Sequence, residues 1–160
     1  MSKCTVIKGG VCSAKGFRAA GVAAEIKYKG RNDVALIVAD RPCAAAAVFT
    51  TNKVAAAPVH YDRAVLAHQA PGTRHQAPLV QAILANSGCA NACTGAQGLK
   101  DAQLAALVTA GELGIDPQYV LVASTGVIGR PLPMERLLGG MRQAAKALGR
   151  TAAHGLAAEG

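Results

Sequence analysis

From Gly21 to Lys29 apolar and polar residues alternate loosely, and Gly30-Arg31-Asn32-Asp33 then leads into the apolar run Val34 to Ala39. Turn residues between two such runs predict a β-hairpin. A third apolar run, Ala44 to Phe49, follows Arg41-Pro42, and Pro42 marks a break between the runs. Together the three predict an antiparallel meander. Tyr61 to Gln69 fits a short helix and Ala70 to Thr73 a loop. Leu79 to Ala85 reads as a buried strand that empties into the small and polar residues of Asn86 to Gly95. Between Gly98 and Gly111, Leu99, Ala102, Leu104, Ala106, Leu107 and Ala110 recur at helical spacing, a stripe ended by glycine. Tyr119 to Ala123 is a short apolar run between Pro117 and Ser124-Thr125-Gly126, the pattern of a buried strand with Thr125 and Gly126 at its carboxyl end. From Pro133 a second helical stripe runs through Met134, Leu137, Leu138, Met141, Ala144, Ala145 and Leu148, with Gly149 as its cap. Thr151 to Ala158 supplies a last alanine-rich turn or two. No repeat is visible, and strands mixed with helices predict a layered α/β or α+β domain.

Composition changes this picture in three ways. At 160 residues the chain has room for one core, read as a single domain over 1–160 with no separate linker. Half of it is hydrophobic, yet much of that is alanine and only 3% is aromatic, so each buried position removes little area from water. Such a core calls for a partner surface. The apolar runs fall far short of a membrane span, and the first ten residues lack the apolar core of a signal peptide, so a cytoplasmic location without membrane contact is expected. Five cysteines, an odd number, suggest reduced thiols in buried or half-buried places rather than a disulfide framework.

The formal net charge is +8. Lys27, Lys29 and Arg31 form a local basic patch beside Tyr28, but the other Lys and Arg residues are scattered singly, which argues against a nucleic-acid or lipid surface. Cys89 and Cys93 could open a zinc site, but no His pair completes it, and neither thiol has a base placed by a local signature. No metal is expected. Gly95-Ala96-Gln97-Gly98 and Gly126-Val127-Ile128-Gly129 lack the spacing of a dinucleotide fingerprint and the Lys-Ser/Thr pair of a P-loop, so both read as tight turns. Thr125-Gly126 has a sharper reading. A threonine hydroxyl and a glycine backbone N–H at a strand end can converge on one point, as an oxyanion hole requires, and glycine admits close approach of a reacting carbonyl.

Four stretches, in order, resemble the ornithine acetyltransferase family, also called bifunctional glutamate N-acetyltransferase. They are Gly9-Gly10-Val11 with Lys15 to Val22; Ala46-Ala47-Val48-Phe49-Thr50-Thr51-Asn52; Asn86 to Gly95; and Ala123 to Gly129. Each is modest alone, and their order and spacing together are specific. Cys12 and Cys89 stand where other small or polar residues are usual. The resemblance implies a layered αββα sandwich of the ornithine acetyltransferase or DmpA-like type, of which this chain supplies roughly the α-chain portion. It implies a precursor that cleaves itself before a threonine, leaving α and β chains together as a hetero-oligomer, a heterotetramer in the family's usual form. The freed threonine would take an acetyl group from N-acetylornithine and pass it to glutamate in arginine biosynthesis, with no cofactor, and acetyl-CoA as a further donor stays open. Thr125 would donate its hydroxyl, and Gly126 its backbone N–H, to the oxyanion.

The nucleophile and the β-chain substrate contacts of that family would lie beyond Gly160, so the sequence reads as a partial one, expected to be inactive alone. Two other readings compete. One keeps the self-cleaving fold but makes the reaction amide hydrolysis, as in related aminopeptidases. The other takes the chain as a small basic binding module, on its charge alone.

Overall fold

A computed structural model describes Ile7, residues 10–69 and residues 77–159. Four strands, β1 (Phe17–Val22), β2 (Val34–Ala44), β3 (Leu79–Asn86) and β4 (Val120–Ser124), form one sheet in the order β1-β2-β3-β4. The first three are antiparallel neighbours, and β4 joins β3 in parallel. Four helices accompany them: α1 (Ala57–Gln69), α2 (Gly95–Leu113), α3 (Met134–Lys146) and α4 (Ala152–Glu159).

Alternation along the strands sorts the side chains into two faces. On the inner face Ala20, Leu36, Leu84 and Val122 form one cross-strand row, and Val38, Ala82 and Val120 belong to the next. These residues are buried under α2 and α3, which add Ala102, Ala106, Ala110, Leu137, Met141 and Ala144 to a single core. The outer face is also apolar. Ile37, Ile83 and Leu121 make one row and Ala35, Ala85 and Ala123 another, yet none of the six is fully buried and Ile83 is 37% exposed. Helix α4 lies on this side, with its Ala157 backbone packed directly on Gly21 of β1. The expected mixed α/β class is therefore what the structure has, as one sheet with its helix layer.

Several expectations are corrected. The first strand lies earlier than Gly21–Lys29. It is Phe17–Val22, because the Asp33 carboxylate accepts hydrogen bonds from the Ala24 and Ile26 N–H groups (2.6 Å each) and ties residues 23–33 into a wide loop instead of a tight hairpin. Pro42 does not end β2, which continues to Ala44 after a register irregularity between Val38 and Cys43, a place in a sheet where proline is tolerated. Ala44 to Phe49 is not the third strand. The meander is completed by β3, and residues 45–50 form an arm without regular structure. Helix α2 passes through Gly111 and ends at Gly114, which takes the left-handed conformation and bonds back to Gly111 and Ala110 carbonyls. Its buried side is Ala102, Ala105, Ala106, Thr109 and Ala110, while Leu99, Leu104 and Leu107 face outwards. Small residues let the helix sit close to the sheet. Gly149 does not cap α3 but pairs with Ala19 at the outer edge of β1 through two backbone hydrogen bonds (3.0 and 3.2 Å). The loop expected at Ala70 to Thr73, and Gly9, lie outside the described residues.

Candidate active site

The carboxyl ends of β3 and β4 run on in parallel beyond the sheet. Thr125 N–H donates to the Asn86 carbonyl (2.9 Å), Val127 N–H to Gly88 (3.2 Å) and Gly129 N–H to Ala92 (2.8 Å), and Ala90 N–H returns a bond to Val127 (3.0 Å). Two motifs separated by some thirty residues of sequence, Asn86 to Gly95 and Ala123 to Gly129, are thus one structural object.

Asn86 fastens it. Its side chain is buried, its Nδ2 donates to the Cys89 carbonyl (3.0 Å), and its Oδ1 accepts from the Ser124 hydroxyl (2.6 Å). Asn91 does the same one turn further on. It is fully buried, with positive φ, and donates through Nδ2 to the Gly98 carbonyl (2.9 Å) while accepting from the Thr94 hydroxyl (2.8 Å). Sequence reasoning gives neither asparagine a role, because Asn near a glycine reads first as a turn former. The signal that could have found them is the position of Asn86 as the last residue of an apolar run, where a buried amide needs partners.

Between the two bonded amides of Thr125 and Val127, the Gly126 N–H has no acceptor among the described residues, and the Thr125 hydroxyl has none either. Both residues are exposed. Gly126 has φ of +127°, and a Cβ there would collide with the Gly88 carbonyl carbon and come within 2.7 Å of the Cys89 nitrogen. Gly88, itself at φ +104°, is packed in turn on Lys27, whose Cβ would lie 2.9 Å from a side chain at 88. Gly126 thus lies backbone to backbone on Gly88 and Cys89, and Gly88 lies against the Ile26 and Lys27 side chains, a closeness that only glycine permits.

Thr125 lines a groove of about 280 Å³ on the outer face of the sheet, walled by Asn32, Asp33, Ala35, Ala85 and Ser87 and by the end of α4. The arm that holds Ala46 to Asn52 lines no part of it. There Arg63 donates to the Thr50 carbonyl (3.0 Å) and lies over the Phe49 ring, and Asn52 accepts from Val54 N–H (2.9 Å). Cys89 is buried and Cys12 and Cys43 are half-buried, but Cys93, at positive φ in the same loop, is exposed, contrary to expectation. No group of three His, Cys, Asp or Glu side chains that could hold a metal ion occurs among the described residues. No helix among them is long and apolar enough to cross a membrane.

Beneath the site, β4 is an edge strand, and α1 supplies its missing neighbour. The Asp62 carboxylate accepts from Val122 N–H (3.0 Å), the Tyr61 hydroxyl reaches the Val120 carbonyl (3.4 Å), and Gln69 donates to the Gln118 carbonyl (2.6 Å). Burial raises the Asp62 carboxyl from its ordinary 3.8 to about 6, against the stabilising bond from Val122. Burial, with a smaller contribution from the Asp62 charge, raises the Tyr61 hydroxyl to about 12, so it remains a donor at any ordinary pH.

The fold and site define a class: one sheet with its helices from a layered α/β sandwich, carrying a groove on the open sheet face at the strand ends. The model described as the ArgJ family matches residues 18–158, and the chain belongs to that family. It is 53% identical over 144 residues to the arginine biosynthesis bifunctional protein ArgJ of Thermosynechococcus vestitus, and 51% identical over 144 residues to that of Symbiobacterium thermophilum. Those matches cover 90% and 89% of this chain but 32% and 34% of the relatives, so the chain spans about a third of their length. Among solved structures it is similar to ornithine acetyltransferase from Mycobacterium tuberculosis complexed with ornithine (TM-score 0.85, 40% identity, 94% of this chain and 76% of that one). It is also similar to ArgJ from Bacillus halodurans (TM-score 0.76, 43% identity, 86% and 69%). The expected αββα architecture is that of these neighbours.

Proposed function

We propose that this chain is the oxyanion-stabilising part of an acetyltransferase that moves an acetyl group from N-acetylornithine to glutamate in arginine biosynthesis. The observation that carries the reading is the pair of free donors, Thr125 hydroxyl and Gly126 N–H, held on a backbone whose flanking amides are both bonded. Family membership, and the ornithine with which the Mycobacterium tuberculosis enzyme is complexed, support the substrate class. The nucleophile is a threonine supplied by the rest of the precursor, freed by self-cleavage into α and β chains that remain together.

In the first step the threonine oxygen attacks the acetyl carbonyl, its proton passing through the threonine's own α-amine to the departing amine of ornithine as the amide C–N bond breaks. In the second, the glutamate amine attacks the resulting ester, N-acetylglutamate forms and the threonine recovers its proton. Each step passes through a tetrahedral oxyanion, so the same two donors serve twice. A preformed pair with no partner in the resting site needs no rearrangement when charge develops, which is where such donors gain their effect.

The test is Thr125→Ala in the full-length protein. Transfer should fall by about 10²-fold or more, the scale of one oxyanion donor, with Thr125→Ser retaining most of it. Wild-type turnover in Thr125→Ala would remove Thr125 from the mechanism. Free acetate released without N-acetylglutamate in the wild type would assign amide hydrolysis instead.

A further inference from the structure

The wide loop between β1 and β2 carries Lys27, Lys29 and Arg31, and none of the three forms an ion pair among the described residues. Lys27 and Arg31 are gathered on Tyr28, with Nζ 4.6 Å and the guanidinium carbon 5.7 Å from the ring centre. The same two cations line a small hollow of about 60 Å³, which shares Asn32, Asp33 and Ser87 with the groove that Thr125 lines. The loop cannot drift from this place. Asp33 holds the Ala24 and Ile26 amides, Asp33 N–H donates to the Val22 carbonyl (3.0 Å), and Ser87 N–H donates to the Asp33 carbonyl (2.8 Å). Lys27 packs on Gly88, and Gly88 on Gly126.

We propose that this loop is an anion-gathering rim for the same site, with Lys27 and Arg31 drawing in the acidic acyl acceptor and biasing the site towards it. The inference rests on the acyl-transfer reading above. Its chemistry lies in a charge difference between the two substrates. N-acetylornithine carries one carboxylate and one ammonium and is neutral overall at pH 7, whereas glutamate has a net charge of −1. On this loop Lys27, Lys29 and Arg31 outnumber Glu25 and Asp33, and the Asp33 carboxylate in the hollow is held by the Ala24 and Ile26 amides, so the rim keeps a net positive charge that accelerates capture of glutamate and leaves the donor almost unaffected. Such steering is worth about 10-fold or more in association rate at low salt, and fades as the Debye length shrinks to about 8–10 Å near 0.1 M.

The experiment separates the half-reactions in the full-length enzyme. Ornithine released in the first turnover without glutamate reports donor capture, and kcat/KM for glutamate reports acceptor capture. Lys27→Glu/Arg31→Glu should lower kcat/KM for glutamate about 10-fold at low salt while changing the ornithine burst less than about twofold. Lys29→Glu, the same charge change as Lys27→Glu alone and on the same loop but outside the hollow, should cost distinctly less than Lys27→Glu. In the wild type, raising ionic strength from about 0.02 to 0.3 M should depress the glutamate step and not the donor step, a readout that survives any misfolding of the variants. Equal loss in both half-reactions, or a glutamate step insensitive to both salt and charge reversal, overturns the rim. A wild-type enzyme that releases no ornithine at all overturns the acyl-transfer reading itself, a distinguishable result.

Discussion

Gly126 bears two constraints at once, a positive φ and a place too close to Gly88 for any side chain. Alanine there would accept backbone strain of about 1–3 kcal/mol and would also have to push Gly88 or the turn aside. The expected result of Gly126→Ala in the full-length protein is a lower melting temperature together with loss of acyl transfer. Thr125→Ala, which removes the hydroxyl and methyl of an exposed residue, should lose transfer at an unchanged melting temperature. Parallel melting curves and turnover measurements check the contrast, and a Gly126→Ala protein that melts and turns over like wild type would show that the turn has room the geometry denies. The Thr125-Gly126 pair was legible in the sequence through its company, since Ser-Thr-Gly after a strand is by itself a common turn and the neighbouring motifs give it weight. Asn86 was not, since what it does depends on the Cys89 carbonyl and the Ser124 hydroxyl arriving at its two ends, and only the strand pairing brings Ser124 there.

At the level of elements, the least foreseeable feature is the way α1 completes β4. Tyr61, Asp62 and Gln69 read only as positions of a short helix, and nothing local says that their polar atoms serve the open edge of a strand some sixty residues later. The same non-local cause misplaced the first strand, because the bonds from Ala24 and Ile26 to Asp33 that widen the loop are not visible in an alternating pattern. Helices α2 and α3 were legible since their periodicity is a property of the segment itself, and α4 from its run of alanines, although the outward leucines of α2 show that large apolar residues need not be the ones that pack. The cost of the α1 arrangement can be measured at Asp62. Its folded value of about 6 stands above the ordinary 3.8, so the native state binds the proton more tightly than the unfolded chain does. Its contribution is therefore fully present below about pH 4, is lost as pH rises through about 6, and stays constant above. Asn at this position still offers an oxygen to Val122 N–H without burying charge. Asp62→Asn should thus raise stability at pH 7 by about 1–2 kcal/mol, discounted for partial exposure, and flatten the slope between pH 4 and 6. Denaturation of the full-length variant at several pH values tests it, and an unchanged slope would mean that Asp62 is solvated well enough to titrate normally.

At the level of the molecule the decisive feature is an apolar sheet face that the described residues leave largely uncovered. Rows Ile37–Ile83–Leu121 and Ala35–Ala85–Ala123 are as apolar as the rows that form the core, but they face outwards. An αββα sandwich, the architecture of the solved neighbours, sets two sheets face to face, and we propose that this apolar face receives the second sheet, with the groove of Thr125 opening beside it. The alanine-rich composition raised the expectation of a partner surface without saying where it would be, and the register shows which face is left apolar and open among the described residues. Ile83 distinguishes the two states of the chain. In residues 1–160 alone Ile83→Lys replaces an already exposed side chain, so the fold should melt within about 1–2 °C of the parent while self-association and binding of a hydrophobic dye decline. In the full-length precursor the same lysine would be caught between two sheets, where an unpaired charge costs several kcal/mol, and soluble protein should be largely lost. Sedimentation and dye fluorescence on the short chain, with soluble yield of the precursor, read both outcomes. A full-length Ile83→Lys protein that folds and cleaves normally would mean that this face stays open to water, and that the cleft is closed by something other than a second sheet.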